Sequence, residues 1–246
     1  MQGTLPMHGF VRTRPWTLVE ANPGRVVFTL SDCEETRNLW PHAFELKYTV
    51  TFDATSLTSA LAISNPSSSS APFAFEAVLH GYFSLGLGNV TEEGSAAQIK
   101  GLKGLTCIAK PSTGYEVPRL EESEVMQLKG EFDRIFTPLS APIIVTGVTT
   151  TTPSTAAPHF STITLTAHAA VRTPGPKLGS RAAPLDLIIW NPGSVRAKMI
   201  ADLGDDDWTH FVSDHGVDSY YPCDSSYHLL SPPPQPATSP ALQGVH

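Results

Sequence analysis

Charge is scarce in this sequence. Only 16% of its 246 residues are Asp, Glu, Lys or Arg, and acidic residues outnumber basic ones by 23 to 16. A net charge of −7 excludes general nucleic-acid binding, which needs a basic surface to neutralise phosphates. It leaves room for a small anion held by one or two local Arg. Cysteine is also sparse. Cys33, Cys107 and Cys223 are the only three, far apart and with no Cys-x-x-Cys. Neither a zinc site nor a disulfide framework is signalled, and free thiols in a reducing cytoplasm are expected. No apolar run is long enough to span a bilayer, so no membrane contact is expected. The N-terminus lacks the basic stretch and apolar core of a signal peptide. Asn89-Val90-Thr91 matches a glycosylation acceptor, which stays unused in a cytoplasmic protein. Helix signals are almost missing. "EETRNLWP", Glu34 to Pro41, supports one or two turns before the proline stops it.

Proline (22), glycine (18) and a 41% hydrophobic fraction are plentiful. Together they describe a real core cut by many turns. In "FELKYTVTF", Phe44, Leu46, Tyr48, Val50 and Phe52 alternate with polar residues over nine positions, the period of a half-buried strand. Leu57 to Ile63 continues the pattern. In "FAFEAVLHGYF", Phe73, Phe75, Ala77, Leu79 and Phe83 form one face. Glu76, Val78, His80 and Tyr82 form the other, so His80 points away from the most apolar side. Further strands are expected near 26–30, 98–100, 127–128, 133–136, 143–148, 162–171 and 187–190. The expected fold is all-β, a sandwich or barrel. One domain over 1–225 is expected, with loop expansions at 149–158 and 172–184. A proline-rich tail, 226–246, has too little apolar content to pack.

Motif tests are mostly negative. "GLGNVTEEG" lacks the third glycine and the helix of a dinucleotide loop. There is no Walker A and no Gly-x-Ser-x-Gly elbow. Asp205, Asp206 and Asp207 lack the alternation and terminal Glu of a calcium loop and read as a solvated turn. No metal site is expected.

Four segments stand out in order. They are "HGFVRTRPW" from His8, "EETRNLWPHAFELKYTVTF" from Glu34, "PFAFEAVLHGYF" from Pro72 and "DLIIWNPGSVRAKMIADLGDDDWTHFVSDHGV" from Asp186. With "GLKGLTCIAK" and "EFDRIF" between them, they resemble the glucose-6-phosphate 1-epimerases of the aldose 1-epimerase superfamily. The likeness covers roughly Leu5 to Val217. It implies a galactose-mutarotase-like β-supersandwich of large antiparallel sheets. It also implies cofactor-free interconversion of the α and β anomers of glucose 6-phosphate (an activity of the EC 5.1.3.15 type) by a cytoplasmic monomer. The family carries early strands and a further phosphate-binding Arg ahead of the His-Gly-Phe segment, so the chain is expected to be N-terminally incomplete.

The chemistry accounts for the residue types. Opening a pyranose requires a proton onto the ring oxygen and a proton off the anomeric hydroxyl. A His and a carboxylate, each with a pKa within reach of neutrality, suit that pair. The resemblance makes His80 the acid. The family's basic Glu maps to Asp214, one methylene shorter. Either the backbone compensates, His215 takes a role, or activity falls. The resemblance also makes Arg12 a phosphate ligand, whose guanidinium fork fits phosphate oxygens, and His8 a partner to sugar hydroxyls. Asp133 is a hydroxyl ligand by the same likeness, and Asp186 a weaker one. Arg14 lies nearby without family support. Two other readings stand beside the enzyme: a non-catalytic sugar-phosphate-binding or regulatory protein on this fold, and an inactive truncated product.

Overall fold

The structure is a computed structural model. It describes residues 5–6, 8–66, 73–85, 90–93, 97–111, 114–139, 141–149, 160–172, 180–183, 185–223 and 226–230. Among the described residues every strand pairing is antiparallel. A seven-stranded sheet runs in the order β1 (Thr17–Asn22), β2 (Arg25–Ser31), β3 (Glu45–Phe52), β4 (Leu57–Ser64), β17 (Ser226–Leu230), β13 (His168–Arg172), β14 (Ser180–Ala183). A six-stranded sheet runs β5 (Phe73–Ser84), β16 (Phe211–Cys223), β15 (Leu185–Asn191), β10 (Phe132–Leu139), β7 (Thr106–Ala109), β8 (Arg119–Leu120). A four-stranded sheet runs β12 (Phe160–Leu165), β11 (Ile143–Thr149), β6 (Gln98–Lys100), β9 (Val125–Gln127). The helices are short: α1 (Glu34–Leu39) and α2 (Gly193–Ala197).

The six-stranded sheet serves two cores with one face. Leu187, Ile189, Phe132 and Phe136 from it meet Ile99, Ile143 and Val145 of the four-stranded sheet. Phe73, Ala77 and Leu185 meet Leu46 and Ile63 of the seven-stranded sheet and Phe44 just ahead of β3, and Phe10 joins them. Burial of such side chains stabilises by roughly 1.5–3 kcal/mol each. In β15 buried and half-buried residues alternate strictly. Asp186, Ile188 and Trp190 therefore lie on the outer face.

Several sequence expectations need correction. The stretch 162–171 is two strands, because the chain leaves the four-stranded sheet after Leu165 and enters the seven-stranded one at His168. The 172–184 loop contains β14, which pairs with β13 as a hairpin, so its connection is 173–179, outside the described residues. The tail does not begin at 226, since Ser226–Leu230 is β17, laddered between β4 and β13. Residues 231–246 and 150–158 lie outside the described residues. Among the described residues, no helix is long and apolar enough to cross a membrane.

Candidate active site on the outer face of the six-stranded sheet

The segment from His8 to Trp16 has no strand of its own, yet it is well anchored. Phe10 is buried, packs at 6.1 Å from Phe44 and shares a core with Phe73 and Ala77. Trp40 and Phe44 of the Leu-Trp-Pro segment build that seat, with Trp40 at 4.9 Å from Phe73. Thr13 Oγ1 donates to the Phe10 carbonyl and Trp16 Nε1 to that of Val11. Among the described residues β5 is an edge strand. The turn therefore wraps around it, placing Phe10 on the core side and His8 on the outer side. His8 and Gly9 both sit in the left-handed region, at φ 62° and 69°. For a His this costs on the order of 1 kcal/mol, a kind of strain that collects at functional sites.

The His8 ring stands 5.7 Å from that of His80. His80 stacks on Tyr82 at 4.9 Å and 14°. Its Nδ1 lies 3.2 Å from Ser213 Oγ, and that hydroxyl donates to the Gly81 carbonyl at 2.8 Å. The residue as a whole is exposed. Partial desolvation, then the positive charges of His8 and Arg12, hold the His80 pKa down at about 4. The ring is therefore neutral at physiological pH. The Tyr82 phenol is pushed up by desolvation and by the charge of Asp202, and stays protonated.

Strand register ties the face together. Tyr82, Ser213, Trp190 and Asp133 occupy one row across β5, β16, β15 and β10. Tyr82, Trp190 and Phe211 touch one another, with centroids 5.2 to 6.5 Å apart, and form an aromatic floor. Asp133 is three strand spacings from β5, about 14 Å. It cannot act on the same atom as His80. It accepts an ion pair from Arg196 at 3.3 Å, which Glu131 shares. Burial raises the Asp133 pKa against the pull of Arg196 and Lys110. Asp186 occupies the same face at the Val78 end.

Asp214 stands opposite Gly81 and Ile189 in the ladder, whereas His215 stands opposite His80 and Ile188. With period two, residue 215 holds the His80 row and residue 214 the alternate one. Of the expected set, His8, Arg12 and His80 come together. Asp133 lies across the floor. Arg14 acts instead on Glu35, whose pKa falls through a hydrogen bond from Cys33 and then that charge.

Sequence patterns carried no signal for Ser213 or Arg196, whose partners lie 133 and 63 residues away. Asn191 of the Trp-Asn-Pro segment serves structure. Fully buried, it donates to the carbonyls of Trp208 and Phe211 at 2.7 and 2.8 Å and accepts from Gly193 N at 2.9 Å. Gly193, at φ 64°, lies so near Glu131 that a Cβ would stand 2.5 Å from its nitrogen. Asp207 caps its own turn through Gly204 N, as a solvated loop would. Among the described residues no cluster of three or more His, Cys, Asp or Glu suits a metal. A concavity of about 560 Å³ lies elsewhere, around Arg119 and Val125, while His80 stands on an open face.

Comparison with known proteins agrees with this architecture. A "Putative glucose-6-phosphate 1-epimerase" of Cenchrus ciliaris is 24% identical over 222 residues, spanning 85% of this chain and 57% of that protein. The chain thus spans little more than half the length of that curated relative. A mutarotase-type structure from Salmonella typhimurium superposes with a TM-score of 0.63 at 20% identity, over 93% of this chain and 68% of the other. A galactose mutarotase-like protein of Lactobacillus casei gives 0.62 at 15%, over 92% and 76%. These likenesses establish a galactose-mutarotase-like fold. The sequence model described as aldose 1-epimerase matches residues 1–219, and the chain belongs to that family.

Proposed function

We propose that the chain is a cytoplasmic, monomeric enzyme that interconverts the α and β anomers of glucose 6-phosphate by general acid–base catalysis at His80. Membership of the aldose 1-epimerase family supports sugar mutarotation as the reaction class. The name of the Cenchrus ciliaris relative supports the phosphorylated hexose. The observation that carries the reading is the grouping of His8 and Arg12 around His80 above an aromatic floor. Tyr82 and Trp190 offer rings to the apolar C–H face of a pyranose. Arg12 offers a fork to the phosphate, His8 a partner to a hydroxyl, and Asp133 a carboxylate at the far side.

The phosphate dianion, on binding, offsets the cationic field of His8 and Arg12. That raises the His80 pKa and allows its ring to take up a proton from solvent. The imidazolium then gives a proton to the ring oxygen as the C1–O5 bond breaks. The anomeric O–H proton passes to a base, for which the family likeness names Asp214 while His215 shares the His80 row, and the electron pair it leaves completes the C1 carbonyl. Rotation about C1–C2 and reversal of both transfers close the ring on the other face. No cofactor is required.

The register of Asp214 favours a second reading, a sugar-phosphate-binding protein that catalyses nothing. Anomer exchange observed by NMR separates the two. Exchange of glucose 6-phosphate faster than in buffer, and faster than that of glucose, supports the enzyme. Ligand line-broadening with exchange at the buffer rate supports the binding protein.

A further inference from the structure

Ser213 is fully buried within β16, a polar side chain at a position that packing alone would fill with an apolar one. Its hydroxyl has one proton and two lone pairs. The Gly81 carbonyl can only accept, and at 2.8 Å it takes that proton. Towards His80 Nδ1, 3.2 Å away, the hydroxyl therefore presents a lone pair. A neutral imidazole holds its proton on one nitrogen, and the partner of the other nitrogen decides which.

We propose that Ser213 is a positioning residue that fixes His80 in the Nδ1–H tautomer and leaves Nε2 as the atom that exchanges a proton with the sugar. This rests on the reading of His80 as the proton-transfer group. The geometry is complete without a ligand, since the Gly81 carbonyl is part of the ladder that pairs β5 with β16. The hydroxyl's orientation is thereby set by backbone. Tyr82 stacks on the imidazole and His8 stands near it, so partial rotation loses the stack, while a half-turn flip, which keeps the stack, loses the Ser213 bond. The same Nδ1–H bond persists when Nε2 is protonated, because an imidazolium donates from both nitrogens. Ser213 thus supports both charge states, and His80 cycles between them without turning. Among the described side chains, His8 and Arg12 from the N-terminal turn and Tyr82 from its own strand face the ring, and residue 215 is opposite in the strand register.

The test is the long-range ¹H–¹⁵N correlation spectrum of the labelled chain at pH 7 without sugar. His80 is assigned by comparison with His80→Gln among the nine histidines. The expected pattern is a protonated Nδ1 and a bare Nε2. Ser213→Ala should convert it to the Nε2–H form and lower kcat roughly tenfold, the weight of one hydrogen bond to a group that becomes charged. KM should stay within about twofold. Ser213→Thr keeps the hydroxyl and should retain tautomer and rate. An Nε2–H tautomer in the unmodified protein, or an Nδ1–H tautomer that survives Ser213→Ala, overturns the proposal. The unmodified spectrum decides even where a variant fails to fold. The tautomer is read without turnover, so its outcome is independent of whether the chain catalyses exchange.

Discussion

His8 and His80 face each other with ring centroids 5.7 Å apart, although one belongs to a turn near the start of the chain and the other to an edge strand. Phe10 makes this possible by burying itself on the far side of that strand. At this distance a charge on the His8 ring opposes a charge on the His80 ring. His8 therefore helps to keep His80 neutral, and Arg12 adds to the effect.

Removing either charge should move the His80 pKa upward from about 4. His8→Gln and Arg12→Gln are each expected to raise it, with the value staying below the ordinary 6.5 because desolvation is the larger cause. Glucose 6-phosphate should raise it more than glucose does. Titration of the His80 Cε1–H resonance checks both statements. An unmoved pKa would show that the neighbouring charges are screened.

The depressed pKa also shapes stability. The unfolded chain binds a proton at His80 below about 6.5, and the folded chain only near 4. Stability from this group is therefore full above 6.5 and declines as pH falls from 6.5 towards 4. His80→Gln should flatten the melting temperature over that window, as read by thermal melts at half-unit steps.

Asp214 and His215 make competing claims that mutation can separate. If the carboxylate is the base, Asp214→Asn should lower kcat by about 10²- to 10⁴-fold while His215→Gln changes little. The register, which puts residue 215 opposite His80, makes the reverse order the informative alternative. Single-turnover and steady-state exchange measurements on the two variants decide.

Sequence patterning revealed β3 and β5 because each has one buried and one solvated face. It hid β1, whose adjacent Leu18 and Val19 are both exposed at a sheet edge. It hid β7 because "TCIA" is too short to alternate. It hid β16 because Ser213, Gly216 and Pro222 interrupt any apolar period. Residue types for the site were recognisable from segment order, and the resemblance named His8, Arg12 and His80 together. Their electrostatics were not legible, since the Ser213 bond, the Tyr82 stack and the Arg196–Asp133 pair depend on register between distant strands.

Asn191 should carry a large stability load. Asn191→Ala leaves two carbonyls and one N–H without their partner in a buried site, and should cost about 2–4 kcal/mol. Denaturant unfolding measures it, with an unchanged m-value expected.

The claim at the centre of this account is that His80 drives anomer exchange, and saturation-transfer NMR of glucose 6-phosphate at anomeric equilibrium tests it most directly. Catalytic amounts of the chain should accelerate α–β exchange well above the buffer rate, and His80→Gln should remove the acceleration by about 10²- to 10⁴-fold while leaving the fold intact. Exchange at the buffer rate with the unmodified chain, or acceleration undiminished in His80→Gln, would contradict it.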